Sequence, residues 1–324
     1  MEEQKGMKSM DAQNTMDKTY RELNLTAEDG YQLSLRVYEG KERKAVIQCI
    51  HGMEEHQGRY EEFASYLAGV GYVVITSDLR GHGPKATKVQ NKKNGKNMIH
   101  IADRNGDQCL VSDEAVIRNW IRENYPECSL ILFGHSMGSI IARKVLQTDS
   151  GAYDKVILCG YPNPQGLSIV ALVLSSLLRG IRGGKGQSNL LTMMAVGPFC
   201  KAIPNAQTPL DWLSVDRDNI NRYIEDPECG LEFTIGSYNA LFHLVWDINQ
   251  PKKYQQVKEA LPILLICGEE DPCPGGEKGR AHSLNCLRKA GFKELTTKLC
   301  PGMRHEILQE DKKVQIYEEI LKFL

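Results

Sequence analysis

The chain lacks the charge, the long apolar runs and the cysteine spacing that would mark it for a nucleic acid, a bilayer or a disulfide scaffold. Forty lysines and arginines stand against 41 aspartates and glutamates, a formal net charge of -1, and the pI lies near 6.7. Such a balance offers nothing to draw a polyanion. No apolar run reaches the roughly 18 residues that span a bilayer; the nearest approach, Leu167 to Leu178, stops short. Met1 to Lys18 is polar, has no apolar centre and reads as a disordered tail rather than a secretory signal. Ten cysteines occur without C-x-x-C spacing, and Cys49, Cys159 and Cys267 fall inside apolar strand-like runs. They are expected as buried small hydrophobes in a reducing cytoplasm, not as a disulfide framework. No metal or cofactor is expected either, since His51 and His56 lie five apart on a loop, with no helix to present both to one ion.

What the chain does have is alternation. At 324 residues it can bury a large core as one α/β domain with an inserted lobe. After a hairpin-like opening, Tyr20 to Leu25 and Gln32 to Tyr38 joined through Asp29-Gly30, strand-like runs recur at Ala45 to Ile50, Tyr72 to Thr76, Leu130 to Phe133, Lys155 to Leu158, Ile263 to Cys267 and Glu294 to Leu299. Helical spacing fills the gaps at Arg59 to Gly69, Asp113 to Tyr125, Ser139 to Leu146, Glu277 to Lys289 and Lys312 to Phe323. That order predicts a mostly parallel sheet flanked by helices, with the active site at the carboxyl ends of the strands.

One strand enters Gly134-His135-Ser136-Met137-Gly138 and a helix leaves it. A serine on such a strained turn is held up as a nucleophile, and the amide after it faces an oxyanion. The hydroxyl needs a base and an acid to orient that base. Asp271 stands just beyond the Ile263 to Cys267 strand, in Asp-Pro, with Glu269 and Glu270 as competitors. His305 follows the next strand and completes the chain order Ser, Asp, His; His282 also follows the acid but falls in a helix-like run. His51-Gly52-Met53 ends the Ala45 to Ile50 strand, so the Met53 amide is expected to pair with that of Met137 as the oxyanion hole, with His51 bracing the loop.

Together, His51 to Tyr60, Asp78-Leu79-Arg80-Gly81-His82-Gly83, the Gly134 to Gly138 elbow and Gly302 to Leu308 resemble the monoacylglycerol lipase and lysophospholipase branch of the α/β-hydrolase fold, over about Asn24 to Leu324. The resemblance implies a cofactor-free serine hydrolase with Ser136, Asp271 and His305 as triad and Met53 and Met137 as oxyanion donors. It also implies that Glu55 and Arg59 meet the polar end of a glycerol-type substrate; as an i, i+4 pair the same two residues equally begin a helix. Two places depart from the pattern: Asp271-Pro272-Cys273-Pro274-Gly275-Gly276, where relatives often carry Val-Gly after the Pro, and Cys159-Gly160-Tyr161-Pro162, where a Ser-Gly-rich start is common.

Between Tyr161 and Trp246 the alternation breaks. Apolar Leu167 to Leu178, basic Arg179 to Gly186 and Met-bearing Leu190 to Phe199 suggest a cap, or lid, over residues 161–246, with the hydrolase core in 19–160 and 247–324. Such a cap suits a lipid chain, or transient contact of a cytoplasmic protein with a membrane surface. Asp211 to Ser214 and Tyr223 to Gly230 resemble the cap of bacterial lysophospholipase-like members. The expectation is therefore hydrolysis of a small lipid ester, with no nucleic acid partner. A short-chain esterase or thioesterase keeps the same triad; a proline iminopeptidase usually carries Trp where this chain has Met137; a non-catalytic ligand-binding protein is the reading from outside enzymes.

Overall fold

Eight strands make the main sheet in the order β1-β2-β4-β3-β7-β8-β9-β10. They are β1 (Arg21–Thr26), β2 (Gln32–Glu39), β3 (Ala45–Ile50), β4 (Val73–Ser77), β7 (Ser129–His135), β8 (Lys155–Cys159), β9 (Ile263–Gly268) and β10 (Leu295–Cys300); β5 (Val89–Gln90) and β6 (Asn97–Met98) form a separate ribbon. The computed structural model describes residues 19–84, 89–90, 95, 97–163 and 168–324. The tail expected over residues 1–18, and Leu167 of the apolar run, lie outside them.

Within the main sheet, β1 with β2 and β2 with β4 pair antiparallel and every other pair is parallel. Gly30 takes φ +85° and turns β1 straight back into β2, whereas from β3 onward the strands of the main sheet are joined through helices that return the chain to the same edge. β3, β4 and β9 are buried at every position, as expected of strands covered on both faces.

One face carries α1 (Glu61–Gly69) and α10 (Lys313–Phe323), which pack Phe63, Leu67, Tyr317 and Ile320 on Ile47, Phe133 and Ile157. The other carries α2 (Gly106–Asn124), α3 (Met137–Asp149) and α9 (Gly276–Ala290), around Leu110, Ile117, Ile140, Val145 and Leu287. α2 begins seven residues before the periodicity at Asp113 suggests, because Asn105 takes a left-handed φ of 54° and Asn-Gly becomes a helix start rather than a turn.

Between β8 and β9 run α4 (Ser168–Arg182), α5 (Asn189–Ala195), α6 (Gly197–Cys200), α7 (Arg217–Glu225) and α8 (Ile235–Ile248). α4 packs against α8. Its apolar residues go all the way round: Ala171 is buried, while Val170, Val173, Leu177 and Ile181 are exposed, Ile181 at 80%. Among the described residues no helix is long and apolar enough to cross a membrane. All ten cysteines are free thiols, and Cys49, Cys159 and Cys267 are buried.

Candidate active site

β7 hands the chain to α3 through Ser136, which holds φ 52° and ψ -119°, a conformation that strains any residue with a Cβ. Close approach makes the elbow possible. A Cβ on Gly134 would sit 2.4 Å from the Gly138 carbonyl oxygen, and one on Gly138 would sit 2.2 Å from that of Ile50, so larger residues would push the turn off β3. The Ser136 amide donates to the Cys159 carbonyl at 2.9 Å, and the Ser139 hydroxyl donates to the Ser136 carbonyl at 2.6 Å, fixing the turn on both sides.

Asp271 and His305 come together at the carboxyl ends of β9 and β10. His305 Nδ1 lies 3.0 Å from Asp271 Oδ2, while Asp271 Oδ1 accepts the Cys273 amide at 2.9 Å, which aims the carboxylate. Both side chains are buried. His305 Nε2 has no hydrogen-bond partner and belongs, with Ser136, to the wall of one cavity. Glu269 and Glu270 are exposed instead, and Glu270 leans to Arg304 at 3.7 Å. His282 bonds Asn163 at 3.1 Å.

The loop after β3 brings Met53 alongside: a Cβ on its neighbour Gly52 would lie 3.2 Å from the Ser136 Cβ. Met137 is the first residue of α3, so its amide is one of the donors that a helix start leaves without an intrahelical acceptor. His51 does brace this loop. Its Nδ1 bonds the Gly52 carbonyl at 2.7 Å and its Nε2 accepts the Leu79 amide at 3.0 Å, a pairing that requires the neutral ring, and burial lowers its pKa accordingly.

Glu55 and Arg59 are placed differently from a pair that reaches into the site. Arg59 is absent from the cavity wall. Its guanidinium bonds Glu55 at 2.9 Å, Glu306 at 2.5 and 2.9 Å and Asn219 at 3.2 Å, and stacks 4.9 Å from the Tyr223 ring centroid. Glu55 does line the cavity, but it is already the acceptor of the Gly52 amide at 2.6 Å and the Tyr60 hydroxyl at 2.8 Å, with His135 Nδ1 at 3.3 Å. Burial works against charge at both Glu55 and His135. Their mutual contact, with Arg59 beside Glu55, prevails: the carboxyl is held well below its usual range and the imidazole above its own.

Several residues here carry no local sequence signal. His135 sits under the base, its Nε2 3.2 Å from the His305 carbonyl and its ring centroid 4.9 Å from that of His305. Trp212, from the segment between α6 and α7, covers the same imidazole at 4.9 Å. The two departures from the family pattern also meet the site: Cys273 lines the cavity, and a Cβ on Gly160 would come 3.1 Å from His305 Cε1.

The cavity measures about 540 Å³, the size of a small-molecule site. Ala171, Met194, Phe199, Leu241, Phe242 and Val245 give it an apolar lining. Against the expectation of no clustered metal donors, two groupings occur among the described residues, with donor atoms within 4.8 Å: His56, Asp226 and Cys229, and Asp271, Cys273 and His305. The second is the acid and base themselves. In the first, His56 is taken up by Asp226 at 2.8 Å and by the Gly58 amide at 3.1 Å.

Residues 41–312 match the family model described as serine aminopeptidase, S33. A monoacylglycerol lipase from Mycolicibacterium smegmatis is 22% identical over 287 residues, covering 87% of this chain and 88% of that one. A Dictyostelium discoideum abhydrolase domain-containing protein is 44% identical over 309 residues, 93% of this chain but 28% of its own length. Among solved structures, a thermostable carboxyl esterase from Bacillus coagulans, in complex with glycerol, superposes with a TM-score of 0.84 at 26% identity, covering 94% of this chain and 97% of that one. Relatives from a mycobacterium and a slime mould do not tie the chain to bacteria.

Proposed function

This chain belongs to the serine aminopeptidase S33 family of α/β-hydrolases, and from that premise we propose that it is a serine hydrolase cleaving carboxylic esters of single-chain lipids, monoacylglycerols or lysophospholipids. The observation that carries the reading is the Asp271–His305 pair, whose unpartnered Nε2 shares a cavity with Ser136. His305 Nε2 takes the Ser136 proton as Oγ attacks the ester carbonyl, and Asp271 holds the ring by Nδ1 and stabilises the imidazolium. The amides of Met53 and Met137 hold the oxyanion. Collapse of the tetrahedral intermediate gives an acyl-enzyme, with the alcohol leaving on the proton from His305; water, activated by the same nitrogen, then releases the fatty acid.

The apolar lining of the cavity supports the lipid assignment, because it offers an acyl chain burial worth roughly 0.8 kcal/mol per methylene. Glu55 adds a carboxylate to the cavity wall, and Arg59 acts through Glu55 and Glu306 rather than by touching the substrate. Turnover is expected to rise with acyl length from four to about twelve carbons, in kcat/KM for a p-nitrophenyl ester series, and monoacylglycerol to be hydrolysed. A maximum at two or four carbons would reject the lipid assignment in favour of a short-chain esterase.

Residues 161–246 act as the lid, and the exposed face of α4 rests on a lipid surface. Val170, Val173, Leu177 and Ile181 recur at helical spacing on that face. Leu177→Asp with Ile181→Asp should lower the fraction co-sedimenting with phospholipid vesicles by about tenfold or more, since each exposed side chain of this size contributes about 1.5–3 kcal/mol on burial. Equal sedimentation of the variant and the wild type would remove the membrane from the proposal.

A further inference from the structure

Three carboxylates line the cavity, Glu54, Glu55 and Glu306, and only two are neutralised within the protein. Glu55 and Glu306 share Arg59, and Glu306 also accepts the Asn219 side chain at 2.7 Å. Among the described residues, no hydrogen bond or ion pair holds the Glu54 carboxyl, although its main chain is firmly fixed. Glu54 keeps a left-handed φ of 59°, and its carbonyl accepts the Gly230 amide and the Tyr223 hydroxyl, each at 2.8 Å. A residue with a side chain is thus kept in a conformation suited to glycine, directly after the Met53 position, and its carboxyl is left for whatever fills the cavity.

We propose that Glu54 is the specificity-determining residue for the alcohol half of the substrate: its carboxyl hydrogen-bonds a hydroxyl of an uncharged polyol leaving group and disfavours alcohol halves that carry a phosphate. The proposal rests on the ester-hydrolase reading above.

The acyl half cannot be what Glu54 meets, because an aliphatic chain laid on this half-buried carboxyl would take away its remaining water and leave it unsatisfied. A hydroxyl satisfies it in both directions when the carboxyl carries its proton, and the surroundings favour that form: burial, with Glu232 nearby, raises the pKa of Glu54 to about 8. The other titratable groups that feel it are Tyr223, Tyr238 and Cys200, none of them cationic. Among the described residues no lysine or arginine lines the cavity. A phosphate entering it would lose its water, meet no lysine or arginine, find the His135 imidazole already taken by Glu55, and face Glu54 as a further carboxylate once that group ionises.

The test compares kcat/KM for a 1-monoacylglycerol, the methyl ester of the same acyl chain and the corresponding 1-acylglycerol 3-phosphate, in the wild type, Glu54→Gly and Glu54→Lys. The wild type should prefer monoacylglycerol to the methyl ester, and Glu54→Gly should lower that ratio by about tenfold, the worth of one good hydrogen bond. Glycine suits the left-handed backbone, so this variant keeps the fold, which a thermal melt at or above the wild-type value would show. Glu54→Lys should raise turnover of the phosphate-bearing lipid relative to monoacylglycerol by about tenfold or more. A ratio unchanged in Glu54→Gly, wild-type turnover of the phosphate-bearing lipid equal to that of monoacylglycerol, or a preference for an aminoacyl p-nitroanilide over every ester would overturn the proposal. Failure of the wild type on all esters would overturn the ester-hydrolase reading and this proposal with it; ester turnover indifferent to residue 54 would overturn this proposal alone.

Discussion

Ser136→Ala is expected to abolish ester hydrolysis, with kcat falling by on the order of 10⁴ to 10⁶, and to end labelling by a fluorophosphonate probe that marks the wild type. The magnitude follows from the way the three groups act as a unit: without Oγ, the imidazole of His305 and the two oxyanion amides have no covalent step to assist. The fold should be unaffected. Alanine occupies the same φ of 52° with the same Cβ, and neither the Ser136 amide bond to Cys159 nor the Ser139 bond to the Ser136 carbonyl uses the lost hydroxyl. Thermal unfolding of the variant should therefore overlay that of the wild type. A wild-type protein left unlabelled, or a variant that hydrolyses p-nitrophenyl butyrate at the wild-type rate, would remove Ser136 from the mechanism.

Strands and elbow were legible in the sequence because their signals are local. The strands that stand apolar at nearly every position, Ala45 to Ile50 and Ile263 to Cys267 among them, are covered on both faces and announce themselves in six residues. The elbow does so in five, since its glycines answer to contacts within the turn and on the adjacent strand. The start of α2 was hidden because Asn105-Gly106 carries the composition of a turn. What surrounds the base was hidden for another reason: Trp212 and His135 reach His305 through pairings 93 and 170 residues apart in sequence, which no window can contain. Glu55 and Arg59 lie between these cases. Their i, i+4 spacing shows a local ion pair, but the partner that takes up the rest of the Arg59 guanidinium, Glu306, stands 247 residues further on. A resemblance carries over residue types at matching positions; it does not carry over which of their polar atoms are already taken.

The Glu55 network should have the largest effect on stability. Glu55→Gln removes the charge that His135 and Arg59 share while keeping an oxygen for the Gly52 amide, so the variant should lose about 3–5 kcal/mol, the usual consequence of breaking a buried ion pair from one side. For a chain of this size that amounts to a melting temperature lower by on the order of 10 °C. The loss should depend on pH, and its sign follows from the two shifts. Glu55 is held below its ordinary value of 4.5, so its contribution is complete above that value and disappears as the pH falls through the folded-state pKa. His135 is held above its ordinary 6.5, so its contribution is complete below that value and disappears as the pH rises through the folded-state pKa. Both act fully between about 4.5 and 6.5, the window in which wild type and Glu55→Gln should differ most. Above neutrality the gap should narrow without closing, because Arg59 stays charged against Glu55 at every pH at which the protein is folded. Denaturant titrations of both proteins at pH 5.5, 7.5 and 9 would measure it. A gap that stays constant across the three would mean that His135 carries no proton in the folded protein, and that Arg59 alone holds the loop bearing the Met53 amide.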